Sequence, residues 1–355
     1  MLTTILAAVF VLGVLVFLHE FGHFIVAKLV GIRVERFSVG FPPRIAGVKI
    51  GETDYCISAI PLGGYVKLAG MIDESLDKDT IRGEPWEFQS KSIPKRVSTI
   101  LAGPAMNFIL AVVLFAGLIF YNGVAEPKNI TAIGEVTPDF PAAKAGMVKG
   151  DRILAINGQP VETWDQMTKI IHALPDKDVV IRWEHAGQVL EDTLHTRAER
   201  MPIGGKVQVV GLIGISPELR IRKIGLLASL GQGFDRTIYL TKMIYVSIEG
   251  LFTGRESLKS LGGPVMIAKL AGESVRSGFG SLLAFMAFLS LNLALLNVLP
   301  IPGLDGGHLV LLGIEAVIRK PLSVKTRVAI QQVGMAILFA LIILVIFNDI
   351  RNVFF

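Results

Sequence analysis

Four runs of the chain stay apolar over the length of a membrane-crossing helix, which takes about 20 residues. They cover roughly residues 2–26, 97–121, 281–299 and 328–347. The last three contain no Asp, Glu, Lys or Arg. The first contains one such residue, Glu20, set between His19 and His23 in "FLHEFGHFIVAKLVG". Residues 2–18 have the look of a signal-peptide core, but no basic segment precedes them and no small-x-small site follows. They read as a retained span.

Residues 122–280 mix polar and apolar positions without a low-complexity run. From about residue 130 to residue 199 the alternation is strand-like, with one helical stretch near 164–174, which predicts a small β-rich module. Within it "AGMVKGDRILAINGQPV", starting at Ala145, resembles the turn, strand and hairpin of a bacterial PDZ domain. "VGLIGI", starting at Val210, stands where the ligand-carboxylate loop of the circularly permuted form would come. From residue 224 to 253 apolar residues recur at helical spacing, interrupted by Asp235, Arg236, Lys242 and Glu249. Four ionisable groups are costly in hydrocarbon, so an amphipathic helix on or near the outer membrane face is expected there rather than a fifth span.

Composition agrees with a membrane protein: of 355 residues 52% are hydrophobic and 18% charged, and the mean hydropathy is +0.58. The net charge of +5 is spread without a block of like charges, so it offers no argument for a nucleic-acid partner. Cys56 is the only cysteine, which excludes an intrachain disulfide and a cysteine metal site. Eleven Lys or Arg fall in residues 28–96, and Arg319, Lys320, Lys325 and Arg327 follow the third span. Basic flanks mark the cytoplasmic side, so both termini and the module between the second and third spans are expected outside.

His19 and His23 are four apart and share one helix face, so both imidazoles can reach one ion. Glu20 is then placed as general base for a water, the mechanical content of H-E-x-x-H. A hydrolytic zinc site of this kind needs a third ligand. The best candidate lies in "NVLPIPGLDGGH", starting at Asn297, where Pro300 and Pro302 must break the helix and Asp305 follows. Spans one and three run the same way in the derived topology, which brings Asp305 to the level of His23. Asp305 also reads as a loop carboxylate capping a turn with Gly306 and Gly307, and His308 is a competing ligand or a neighbour of the site. His172, His185 and His195 read as surface residues of the outer module.

With these pieces together, the chain resembles the site-2 protease family of intramembrane zinc metalloproteases, in its bacterial RseP-like branch. The resemblance is carried by "HEFGH", "PLGGYVKLAG" from Pro61, "GPAMNF" from Gly103, the PDZ-like module, "LGGPVMIAKLAG" from Leu261 and "NVLPIPGLDGGH". It implies His19, His23 and Asp305 as ligands of one zinc ion per chain and Glu20 as the catalytic acid/base. Asn297 would touch the substrate backbone. A membrane-associated β-hairpin would pair with the extended substrate around Gly63, Gly64 and Tyr65. By itself "CISAIPLGGYVKL" from Cys56 reads as two short strands around a Pro/Gly break, which suits an exposed edge that adds a substrate strand and an ordinary cytoplasmic hairpin equally well. Implied substrates are single-span membrane proteins, such as shortened anti-sigma factors or remnant signal peptides, cut in regulated intramembrane proteolysis in the bacterial inner membrane. A ligand for the PDZ-like module would lie on the outer side. One departure is that enterobacterial members carry two tandem PDZ domains where this chain has room for one.

The expected fold is therefore a polytopic α-helical membrane protein with four transmembrane helices. A cytoplasmic-side, membrane-associated β-hairpin region and an inserted extracytoplasmic PDZ-like α+β domain complete it. The expected boundaries are 1–27 for the first span, 28–96 for the β-rich region, 97–121 for the second span and 122–218 for the module. They continue with 219–280 for an amphipathic helical linker, 281–304 for the third span, 305–327 for a cytoplasmic loop and 328–347 for the fourth span. Two other classes compete with a protease. A zinc-binding scaffold recruiting partners through its PDZ-like module would keep the histidines without needing Glu20. A metal transporter would need polar residues along several spans, and spans two and four offer little beyond Asn107, Gln331 and Gln332.

Overall fold

The structure is a computed structural model and describes residues 2–71, 81–203, 206–255 and 262–354. Leu261, the first residue of the "LGGPVMIAKLAG" motif, falls outside these. Residues 1–121 and 225–355 make one unit and residues 122–224 a second.

The first unit is helical. Helix α1 (Leu2–Leu29) ends where Gly31 takes a left-handed φ of +76° and Ile32 N–H closes on Ala27 C=O at 2.8 Å. Helix α2 (Ile93–Asn122) starts with Pro94 in its first turn and carries Pro104 inside. Helix α7 (Phe279–Val298) stops because Leu299, the residue before Pro300, is extended at φ −60°, ψ 145°. Helix α9 (Val324–Phe354) completes the set. These four are long and apolar enough to cross a membrane. Ala7, Ala8, Val11 and Leu15 of α1 pack on Met286 and Leu289 of α7 and on Ala271 of α6 (Pro264–Arg276), which forms one core of the unit.

The linker between the module and α7 is divided into two helices. Helix α5 (Leu226–Phe252) buries the small polar stripe Ser229 and Thr237. At Gly233 of this stripe the helix comes against the α2 backbone at Val112 and Ala116, and Phe234 meets Phe108 edge-on at 6.4 Å. Its contact is with the middle of α2, because only a residue without a side chain allows the two backbones so close. Residues 305–327 also depart from the expected loop: helix α8 (Asp305–Ile318) occupies most of them. It forms because Leu311, Leu312 and Glu315 share a buried face, with the carboxylate of Asp305 in the favourable first turn.

Strands β1 (Val34–Ile50) and β2 (Thr53–Leu68) make an irregular sheet. The Pro/Gly break divides β2 into two segments, but these do not pair with each other. Residues 36–39 of β1 lie between them, paired with 64–67 on one side and 54–57 on the other. A proline at such a bulge is tolerated because the ladder is already interrupted. Residues 64–68 are thereby left as an edge of the sheet.

The second unit holds β3 (Val124–Pro127), β4 (Ile133–Val136), α3 (Pro141–Lys144), β5 (Arg152–Ile156), β6 (Gln159–Pro160), α4 (Trp164–His172), β7 (Asp178–His185) and β8 (Gln188–His195). It ends with β9 (Arg197–Ile203), β10 (Lys206–Leu212), β11 (Ile215–Pro217) and β12 (Leu219–Arg222). A four-stranded sheet in the order β6-β5-β7-β8 is joined by three two-stranded pairs, β9 with β10, β4 with β11 and β3 with β12. Inward residues of the strands and of α4, among them Ile153, Met167, Val179, Ile181 and Trp183, form its core.

Candidate metal centre

The site is built where α1, α2 and the start of α8 meet. Gly22 of α1 lies against the Ala102 carbonyl, and Gly103 of α2 lies against the imidazoles of His19 and His23, so that a Cβ at either position would overlap those atoms. Backbone contact at these two glycines is what admits two imidazoles between the helices. Gly306 and Gly307 do the same for α8, whose first turn is pressed on the carbonyls of Leu299 and Ile301.

Three ligand atoms converge. His19 Nε2 and His23 Nε2 are 3.1 Å apart, and Asp305 Oδ2 lies 3.1 Å from the first and 3.5 Å from the second. Ligands at about 2.0–2.1 Å from a tetrahedral zinc ion are separated by roughly 3.3–3.4 Å, so the set fits that ion without rearrangement. All three residues are largely buried, and Asp305 Oδ2 is buried with no hydrogen-bond donor aligned on it. Among the described residues this is the one His/Cys/Asp/Glu cluster compact enough to hold a metal.

The outer contacts orient the ligands. His23 Nδ1 donates to the Thr99 carbonyl at 2.8 Å, which leaves Nε2 to face the centre. Fully buried Asn107 has its amide 3.4 Å from His19 Nδ1, with Nδ2 nearer and Oδ1 lacking a partner. The two amide atoms are interchangeable in shape, and the reverse assignment lets Oδ1 accept from Nδ1–H and frees His19 Nε2 for the metal. Neither Thr99 nor Asn107 was singled out for the site from the sequence. An Asn inside an uncharged apolar run is a signal that could have found the second. Nothing in the sequence marks a backbone carbonyl such as that of Thr99.

A cavity of about 330 Å³ opens on these atoms and is lined by Glu20, Gly64, Tyr65, Val66, Asn297 and His308 among others. Asn297 Nδ2 stands 3.4 Å from His19 Nε2. Glu20 Oε2 accepts from the Val66 backbone N–H at 3.0 Å. Gly63, with φ +150°, is wedged between Phe41 and Val16 and does not line the cavity. In the second unit, His185 Nδ1 is 2.8 Å from Asp151, and His195 bridges Asp178 and Asp176.

The profile of peptidase family M50 matches residues 7–341. The chain belongs to this family. A candidate zinc metalloprotease of Clostridium perfringens is 37% identical over 347 residues, 98% of each chain. The zinc metalloprotease RasP of Geobacillus kaustophilus is 31% identical over 425 residues, 99% of each. Among solved structures, a PDZ domain of an SdrC-like protein from Listeria monocytogenes is 21% identical over 26% of this chain and 93% of its own, with a TM-score of 0.22. As an M50 peptidase the chain is a zinc metalloprotease, with four apolar helices suited to a bacterial membrane.

Proposed function

We propose that this M50 peptidase hydrolyses transmembrane segments of single-span membrane proteins, with one zinc ion held by His19, His23 and Asp305 and Glu20 as acid/base. The observation that carries the reading is the convergence of three ligand atoms within 3.5 Å of one another in a cavity shared with Glu20 and an open strand edge. Zinc supplies Lewis acidity there, lowering the pKa of a water toward neutrality and polarising the scissile carbonyl. Glu20 takes the proton of the attacking water and delivers it to the departing amide nitrogen. Asn297 is placed to donate to the substrate backbone beside the ligands. A helical substrate must unwind first, since its carbonyls are already bonded within the helix, and pairing with the edge at 64–68 offsets part of that cost.

The basic residues of 28–96 and 319–327 support a site on the cytoplasmic side of the inner membrane, with residues 122–224 on the outer side. The outer module reads as PDZ-like, carrying a ligand on that side and screening which membrane proteins reach the cavity. Pre-cut anti-sigma factors and remnant signal peptides are the substrate classes. The test is Glu20→Gln in purified enzyme with a model single-span substrate in liposomes. Removing a general base lowers the rate by about 10²–10⁴-fold, with zinc content unchanged. Undiminished cleavage would refute Glu20 as the acid/base, and absence of cleavage by the unsubstituted, zinc-loaded protein would favour the scaffold reading.

A further inference from the structure

The contact between Glu20 and Val66 assigns a second task to the strand edge. Residues 64–67 are paired on one side with 36–39 of β1, and their other side faces the cavity. Along a strand, backbone groups alternate between its two edges. Ala69 N–H turns toward the body of the sheet, where it bonds Arg33 C=O at 2.9 Å. Val66 N–H turns the other way and bonds Glu20 Oε2 at 3.0 Å. It is therefore no part of the β1 ladder. By the same alternation the backbone groups of Gly64 and the carbonyl of Val66 also point into the cavity, available to an added strand. The edge offers an incoming substrate the N–H and C=O of Gly64 and the C=O of Val66, while the donor between them, Val66 N–H, is committed to the acid/base.

We infer that the Val66 N–H is the positioning group of Glu20, so that β2 seats the acid/base as well as the substrate. This rests on the reading of Glu20 as acid/base. A carboxylate on a flexible side chain reaches its proton only if its rotamer is held, and a misplacement of about 1 Å costs around 10²-fold. A backbone donor fixed in a sheet provides that hold at little entropic cost. It also joins two events, because a strand paired on Gly64 and Val66 C=O steadies the same peptide that orients Glu20. Binding through this edge and turnover through Glu20 separate at one atom.

The test removes that atom. Val66→Pro deletes the N–H without deleting a ladder bond, and Val66→Ala is the conservative variant that keeps it. Each is purified as the zinc-loaded full chain, its zinc measured, and kcat and KM determined on a single-span substrate. We expect Val66→Pro to lower kcat roughly 10- to 100-fold with KM within about twofold, and Val66→Ala to recover most of the loss. A loss confined to KM, or an unchanged kcat, overturns the inference. A second measurement needs no proline: hydrogen exchange at the Val66 amide should quicken in Glu20→Ala while Lys67 and Ala69 stay protected. Equal protection of Val66 in both proteins overturns it as well. Failure of the acid/base reading shows separately, as cleavage retained by Glu20→Gln while the exchange result stands.

Discussion

Glu315 lies on α8, three turns beyond Asp305, and only 2% of it is exposed. Its Oε2 receives Arg96 of α2 at 2.9 Å, and its Oε1 receives Leu322 N–H at 2.8 Å and the Arg327 guanidinium of α9. One buried negative charge thus faces two buried positive ones and ties the ligand-bearing helix to its neighbours. Glu315→Gln keeps the shape and an acceptor but leaves both guanidinium groups without a counter-charge. Removing one member of a buried ion pair costs about 3–5 kcal/mol. At about 2 °C per kcal/mol for a chain of this size, Tm in detergent should fall by roughly 6–10 °C. Arg96 sits three residues before Thr99, whose carbonyl orients His23, so zinc content should fall along with Tm. Replacing all three charged residues by Leu or Met of similar volume should recover much of the stability, because no desolvated charge is then left over. A Glu315→Gln protein melting within about 1 °C of wild type would refute the reasoning.

Gly103→Ala should abolish zinc retention and cleavage together, because the added Cβ overlaps the His23 imidazole; elemental analysis checks it, and full zinc occupancy would contradict the packing described. Asp349, buried near the end of α9, accepts from the N–H groups of Gly263, Val265 and Met266 at 2.9–3.0 Å. Asp349→Ala strands those donors at the start of α6 and should cost about 3 kcal/mol, read as a Tm drop and faster proteolysis before α6. Hydrogen bonds to Asp178 and then Asp176 raise the pKa of His195 above its ordinary value, which histidine NMR titration of wild type and Asp178→Asn will test. A pKa raised on folding stabilises below the unfolded value and is lost as pH rises through the folded value, so any contribution fades on the alkaline side. The group is exposed, so that contribution is small.

How far the sequence carried this structure depended on whether a feature was local. Uncharged runs announce helices directly, since hydrocarbon tolerates no unpaired backbone, and the spacing of His19 and His23 is a property of one helix. Asp305 was within reach because topology and two prolines supplied a depth, but the helix that follows it was missed: the apolar face of α8 is short and lies beside a glycine pair that reads as a turn. The insertion of residues 36–39 between the two segments of β2 was not legible, because strand order depends on long-range pairing that alternation leaves open. The Val66 bond was hidden for the same reason. A backbone donor has no identity in the sequence, and only the strand order decides which edge it leaves from and which carboxylate it meets.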